Sequence, residues 1–180
     1  MSTTTTVQTY AIDASHTNAE FVVRHMMIAK VRGRFAALAG TIEVPEGSDV
    51  PSSIQATLEV DSITTSEAQR DGHLKSPDFF DAPTFPQMTF SSTRITPNGD
   101  AISVEGDLTI RGTTRPVTLA ATFEGRTTDP WGNRRIGYEA HAKISRKDFG
   151  LTWNQALEAG GVAVGDEVKI ELAIEAVAQS

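Results

Sequence analysis

Apolar and polar residues alternate with a period of two along most of this chain, and that habit limits the folds open to it. Ile54, Ala56, Leu58 and Val60 interleave with Gln55, Thr57, Glu59 and Asp61, and Ile102, Val104, Leu108 and Ile110 with Ser103, Asp107 and Thr109. The same beat returns in Val117, Leu119, Ala121 and Phe123, in Tyr138, Ala140, Ala142 and Ile144, and in Val168, Ile170, Leu172 and Ile174. Successive side chains of a strand point to opposite faces, so each segment predicts a strand with one buried face. Fainter alternation marks residues 9–13, 19–25, 31–44 and 88–95.

Turn signals separate these runs: Pro45-Glu46-Gly47, Pro97-Asn98-Gly99-Asp100, Gly112-Thr113-Thr114, Asp129-Pro130-Trp131-Gly132-Asn133 and Gly160-Gly161. Eight or nine strands in sequence with short connections predict an antiparallel meander. Closing such strands into a barrel removes the exposed edges that a sandwich must protect. About eight strands leave an interior that side chains fill or that holds one ligand. Both outcomes stay open from the residues. Small inward positions (Ala19, Ala56, Ala121, Ala140, Ala142) leave room along the axis, while alanines also pack a narrow barrel end.

Residues 70–90 interrupt the pattern. A short charged helix is predicted over residues 66–76, with Ser66 as N-cap and Pro77 as its stop, followed by a knot of aromatic residues. A barrel that closes one end over an apolar interior has a use for such an insertion.

The remaining composition bounds the chain. Its 180 residues suit one domain, expected over 9–180 behind a flexible polar arm, residues 1–8. A net charge of −7 with both signs interspersed argues against nucleic acid and against anionic membrane surfaces as partners. The absence of cysteine excludes disulfides and thiolate chemistry. The N-terminus shows neither a basic segment nor an apolar one of signal-peptide type, and no apolar run reaches the ~20 residues of a membrane span. A cytoplasmic location and no integral membrane segment are the expectations.

Several motifs, in order, resemble the YceI-like family of bacterial lipocalin-like, polyisoprenoid-binding proteins. They are Tyr10-Ala11-Ile12-Asp13-Ala14-Ser15-His16, Phe21-Val22-Val23-Arg24-His25, Val31-Arg32-Gly33-Arg34-Phe35 and the 70–81 segment. Gly106-Asp107-Leu108-Thr109-Ile110-Arg111-Gly112 with Arg115-Pro116-Val117 follows, then Ser145-Arg146-Lys147-Asp148-Phe149-Gly150 and Val164-Gly165-Asp166-Glu167-Val168. The resemblance covers the chain from about Tyr10. It implies an all-β fold: an extended antiparallel eight-stranded lipocalin-like barrel with one short helix closing an end. It also implies a tunnel for an isoprenoid or similar amphiphilic chain, often in a homodimer. Met26-Met27-Ile28-Ala29, after His25, departs from the family's usual small residues.

Candidate ligand-binding residues follow from the inward register and the aromatic knot. Phe21, Val23 and His25 share one face of a strand; Phe35, Leu108, Leu119, Phe123, Tyr138 and Ile144 occupy inward positions on others. Phe79, Phe80, Phe85 and Phe90, with Leu74 of the helix, are expected to form a lid and upper wall for a lipid tail, a hydrophobic cluster that docks the helix, or both. Met27, a flexible thioether beside Met26, suits an adaptable wall. An inward His25 needs a partner, either a ligand carbonyl or hydroxyl or an internal group.

Arg70, Asp71 and His73 are candidates to gate or pin the helix. They either meet a ligand headgroup or pair with a neighbouring loop through Arg146 or Asp148, the more ordinary arrangement. His16 beside Asp13 is expected to tie a turn, His141 to face solvent, and Asp78 and Asp81 to cap turns. No catalytic set is nominated: there is no Gly-x-Ser-x-Gly elbow, and Gly160-Gly161-Val-Ala-Val-Gly165 lacks the Lys-Ser/Thr ending of a phosphate loop. The four histidines show no short-range ligand pair, so neither metal nor cofactor is expected. The expected function is non-catalytic binding, storage or transport of a long-chain isoprenoid, a polyprenyl lipid or prenylated quinone. A broad-specificity scavenger, an enzyme acting in the same cavity with His25 or an Asp as base, and a filled structural module are the alternatives.

Overall fold

The strands that the alternation predicts are present, and they are longer and more broken than the sequence suggests. The computed structural model describes residues 4–180. Its first strands are Val7–Ile12 (β1), Asn18–His25 (β2), Ala29–Phe35 (β3), Leu38–Pro45 (β4), Ser53–Glu59 (β5) and Ile63–Thr64 (β6). A helix, Ala68–Lys75 (α1), precedes Gln87–Asn98 (β7), Ala101–Ile110 (β8), Thr113–Thr128 (β9), Arg134–Ser145 (β10) and Val164–Ala178 (β11).

Every pairing is antiparallel. β1 is hydrogen-bonded to β4 on one side and β11 on the other, which closes the circuit β1-β4-β5-β7-β8-β9-β10-β11. The upper halves of three barrel strands carry their own names: β2 continues β1 alongside β11, β3 pairs β2, and β6 pairs β3. Counting β1/β2, β3/β4 and β5/β6 as bent strands gives eight, the expected meander.

The three bends lie side by side, each with a local cause. The carboxylate of Asp13 accepts the Ser15 amide at 3.0 Å and starts a 3-10 turn, Ala14–His16, with His16 Nδ1 2.9 Å from the same carboxylate. Between β3 and β4, the Ala36 amide donates to the Ser62 carbonyl, and the Ala37 carbonyl accepts the Glu59 amide. Opposite them Val60–Ser62 forms another 3-10 turn around the buried Val60. Beyond the bends, β6 lies beside β3 but does not reach β7. On this side β7 pairs β5 but not β6, so a seam opens between β6 and the start of β7. Helix α1 packs against β6 there, and residues 76–86 run on from it to β7.

Two expectations are corrected. Residues Val7 and Gln8, read as part of a loose arm, are in β1, registered with Pro45 and Val44, because the polar side chains alternate on a paired strand. Residues 1–3 of that arm lie outside the described residues. The N-cap of α1 is Glu67, whose carboxylate accepts the Gln69 and Arg70 amides at 3.3 and 2.6 Å; Ser66 has φ +64° and turns away. Among the described residues no helix is long and apolar enough to cross a membrane.

Candidate functional site

Inward residues of all eight strands surround a cavity of about 680 Å³. Its wall is aliphatic and aromatic along the barrel: Ile42, Ile54, Leu58, Val104, Leu119 and Leu172, with the small Ala56, Ala121 and Ala140 widening the bore. Ala121 and Ala140 are register partners on β9 and β10, so two short side chains face each other's strand at one level. The alternative of a filled core does not hold.

The far end is closed by residues 46–52. The Tyr138 hydroxyl donates to the Asp49 carbonyl at 2.7 Å, and the Asp49 carboxylate pairs with Arg126, which also caps the Ser48 carbonyl and lies over the Phe123 ring at 4.9 Å. Burial pushes the Tyr138 phenol well above its usual range, so it remains a donor. Further out, Arg135 gathers Asp13, Asp129 and Glu175 at 2.9, 2.8 and 3.0 Å.

The other end is the mouth. Lining residues that are also exposed to solvent (Arg24, Met26, Glu67, Gln69 and Gln155) come from the β2–β3 tip, α1 and residues 151–163. Helix α1 is held over the seam by an interlocked set. Thr65, itself buried, donates its amide and hydroxyl to Asp71 Oδ1, while Arg70 donates Nε to Thr65 Oγ1 at 2.7 Å and Nη2 to the Thr65 carbonyl at 2.9 Å. Burial opposes ionisation of Asp71, yet the Thr65 hydrogen bonds hold its carboxyl below the usual value. The helix is thus pinned to the strand end just before it. The expected pairing of Arg70 or Asp71 with Arg146 or Asp148 is not made.

Arg146 has other work. Only 5% exposed, it donates to the carbonyls of Gly165 (2.8 Å), Leu151 (2.7 Å), Trp153 (2.9 Å) and Val164 (3.2 Å), with Asp166 at 3.6 Å. Burial lowers its pKa, but four carbonyls and a carboxylate keep the cation satisfied. Asp148 contributes its backbone carbonyl to Arg115 at 3.1 Å. His73 Nε2 meets Asp78 at 2.8 Å, and its ring packs edge-on against Phe79 and Trp153 at 5.0 and 4.7 Å. Asp78 therefore serves the helix, and Asp81, at φ +50°, accepts turn amides through its main chain.

Of the ligand-contact candidates, Phe21, Val23, His25, Phe35, Leu74, Phe79, Phe80, Phe90, Leu108, Leu119, Tyr138 and Ile144 line the cavity. Phe80 docks the segment after α1 on the barrel through a chain of rings, Phe21, Phe35 and Phe80, at 5.8 and 5.9 Å. Three candidates fall outside, Phe85 among them. Met27 is 57% exposed at the hairpin tip, because the tight turn there sends Met26, not Met27, to the wall. Phe123 sits beyond the lining at the closed end, packed edge-on against Tyr138 at 5.7 Å. Trp153 and Met88 line the cavity without having been singled out; Trp153 lies in a stretch with no strand periodicity, so only the nearby Ser145–Gly150 motif hinted at it. Among the described residues, no three His, Cys, Asp or Glu side chains cluster as metal ligands would.

The YceI-like domain matches residues 10–176. Protein YceI of Salmonella newport is 35% identical over 172 residues, covering 94% of this chain and 87% of that one, and its Salmonella arizonae counterpart matches equally well. Among solved structures, the Campylobacter jejuni YCEI protein superposes with a TM-score of 0.75 at 27% identity over 87% of this chain and 90% of that one. Burkholderia cenocepacia BcnA gives 0.78 at 24% identity (91% and 98% covered). A polyisoprenoid binding domain from Saccharophagus degradans gives 0.67 at 17% (94% and 98%). A barrel of this closure, with its helix in the seam and its motifs in this order, belongs to the YceI-like family.

Proposed function

We propose that this protein binds one long-chain isoprenoid, a polyprenyl lipid or prenylated quinone, inside the barrel and carries or stores it without chemical change. The apolar cavity carries the reading: it is closed at the Tyr138 end, open between α1 and the β2–β3 tip, and has most of its ionisable neighbours already engaged. Arg70, Asp71, His73 and Arg146 all spend their hydrogen bonds on the protein, which favours binding over catalysis. A fold-level likeness to a polyisoprenoid binding domain points the same way. Burial of ~30 ligand heavy atoms at ~0.3 kcal/mol each supplies ~9 kcal/mol, a sub-micromolar affinity. Because that energy is non-directional, selectivity rests on bore and length. His25, half-buried on the wall near the mouth, is the polar contact for a carbonyl or hydroxyl headgroup.

Denaturing mass spectrometry of organic extracts from freshly purified protein, against a mock purification, tests this. A stoichiometric polyprenyl or quinone species is expected. An empty extract, together with no uptake of added polyprenyl alcohol or ubiquinone, refutes it.

A further inference from the structure

The turn joining β2 to β3 is built from residues that a soluble hairpin avoids. The Ile28 amide donates to the His25 carbonyl at 3.3 Å, so Met26 and Met27 are the two central residues of a tight turn, with φ of +50° and +62°. Asn-Gly fits that left-handed geometry at little cost; two methionines do not. The tip they form is apolar and exposed: Met27 at 57% and Ile28 at 86%, with Val162 of the adjoining loop also exposed. The loop is tied on by the Met26 amide, which donates to the Ala163 carbonyl at 2.8 Å.

Behind the tip the β2–β3 hairpin is basic: it carries four cations, Arg24, Lys30, Arg32 and Arg34, against one acid, Glu20. Arg24 and Lys30 are register partners on β2 and β3, both exposed, and Arg32 and Arg34 continue the same outer face. Like charges directly opposite each other weaken a sheet. Among the described residues neither Arg24 nor Lys30 forms an ion pair, whereas Arg32 reaches Glu171 at 3.3 Å. Some acids at this end are engaged: Glu67 caps α1, Asp166 pairs with Arg146 and Lys147, and Glu171 with Arg32. Glu20, opposite Arg34, and Glu167, in the β11 bulge beside Arg24, form no ion pair among the described residues. Glu158, on the loop beside the tip, has no ion pair among the described residues. A molecule of net charge −7 thus presents a small basic collar with an apolar point at its centre.

We propose that this tip docks on an anionic lipid bilayer. Met27 and Ile28 enter the interface, and Arg24 and Lys30, with Arg32 and Arg34 behind, meet the headgroup phosphates. Amphipathic elements bind membranes through this pairing of apolar burial with cations. Docking points the cavity mouth, which Met26 lines, at the bilayer. That the contact serves to load or unload an isoprenoid rests on the carrier reading above; the docking itself does not. The net acidic charge predicts weak affinity for membranes in general, but screening limits the reach of distant charges to ~10 Å, so the local collar decides.

Co-sedimentation of the intact protein with vesicles separates the two claims, because it needs no ligand. Binding is expected to vesicles of phosphatidylcholine with ~30% phosphatidylglycerol, not to phosphatidylcholine alone, and to fall away at ~0.5 M salt. Ile28→Asp should weaken it at least tenfold without shifting the melting temperature, since the side chain is almost fully exposed. Arg24→Gln with Lys30→Gln should weaken it about 25-fold, at about fivefold per cation. Trp131→Ser, which alters an exposed apolar residue at the closed end, should change nothing. Three results would overturn the proposal: no binding by the native chain, binding that survives both tip variants, or light scattering in which Ile28→Asp dissociates a dimer and vesicle binding is unchanged. Normal vesicle binding with an empty organic extract would leave docking standing and sink the carrier.

Discussion

Phe21 lays its ring against Gly33, its register partner across β2 and β3, so closely that a β-carbon at position 33 would overlap the ring. The Phe90 ring lies as closely over Gly106 of β8, diagonal to its register partner Leu108. Both rings are cavity wall, so each glycine sets how far an aromatic side chain withdraws from the bore. Gly33→Ala should push Phe21 inward, cost about 1–3 kcal/mol of stability by overpacking, and reduce uptake of long ligands more than short ones. Unchanged binding of a ligand series would show that the Phe21 ring does not limit the bore.

Ala140 and its partner Ala121 keep the middle of the cavity wide. Ala140→Phe should fill that space and abolish isoprenoid uptake while leaving the melting temperature level or higher, since the ring gains contacts in open volume. Titration with a fluorescent polyprenyl analogue alongside calorimetry reads both. Retained affinity would place the ligand elsewhere.

The Arg70–Thr65–Asp71 set fastens α1 over a seam that has no strand pairing. Arg70→Ala removes two hydrogen bonds worth about 1 kcal/mol each, and the ligand off-rate should rise on the order of tenfold. Thr65→Val should reproduce the effect, because it deletes the hydroxyl shared by Arg70 and Asp71. Stopped-flow displacement measures it; equal off-rates in all three proteins would mean the helix does not gate.

Arg146→Met should be far more damaging than Arg70→Ala. It leaves buried carbonyls of Leu151, Trp153, Val164 and Gly165 without their donor, at a cost of about 3 kcal/mol or more. Urea unfolding should show the loss, and hydrogen exchange should rise across residues 150–165.

Acid should attack the closed end first. The Asp13 carboxyl is held well below its usual range by Ser15, His16 and Arg135, and the Asp129 carboxyl at about 2, chiefly by Arg135. The same carboxylates raise the Arg135 pKa further above its already high value, so that cation does not titrate. Carboxylates whose folded pKa is depressed add stability above the unfolded value of about 4, and lose it as pH falls through the folded value. Melting temperature should therefore hold above about pH 5 and fall between pH 4 and 2. In Arg135→Met that acid limb should be shallower, because the main cause of the depression at Asp129 and part of that at Asp13 are gone.

The aromatic knot after α1 shows how far sequence reading reaches. Its position and composition announce a closing element, and Phe79 and Phe80 do line the cavity. Whether Arg70 would face a headgroup, Arg146 or Thr65 depends on where β6 ends, and nothing in a period-two pattern encodes that. Met27 illustrates the converse: alternation carried past His25 predicts one inward residue too many, because it cannot register that a tight turn has begun.

By itself the sequence determined the strands, their inward faces, the meander and the family, because hydrophobic period and turn chemistry are local properties. Only the tertiary structure decided that the barrel is hollow, that three adjacent strands bend together and leave a seam for the helix, and that Met27 and Phe123 miss the cavity. Those outcomes depend on register between distant segments and on the volume left after packing. No single segment carries either quantity.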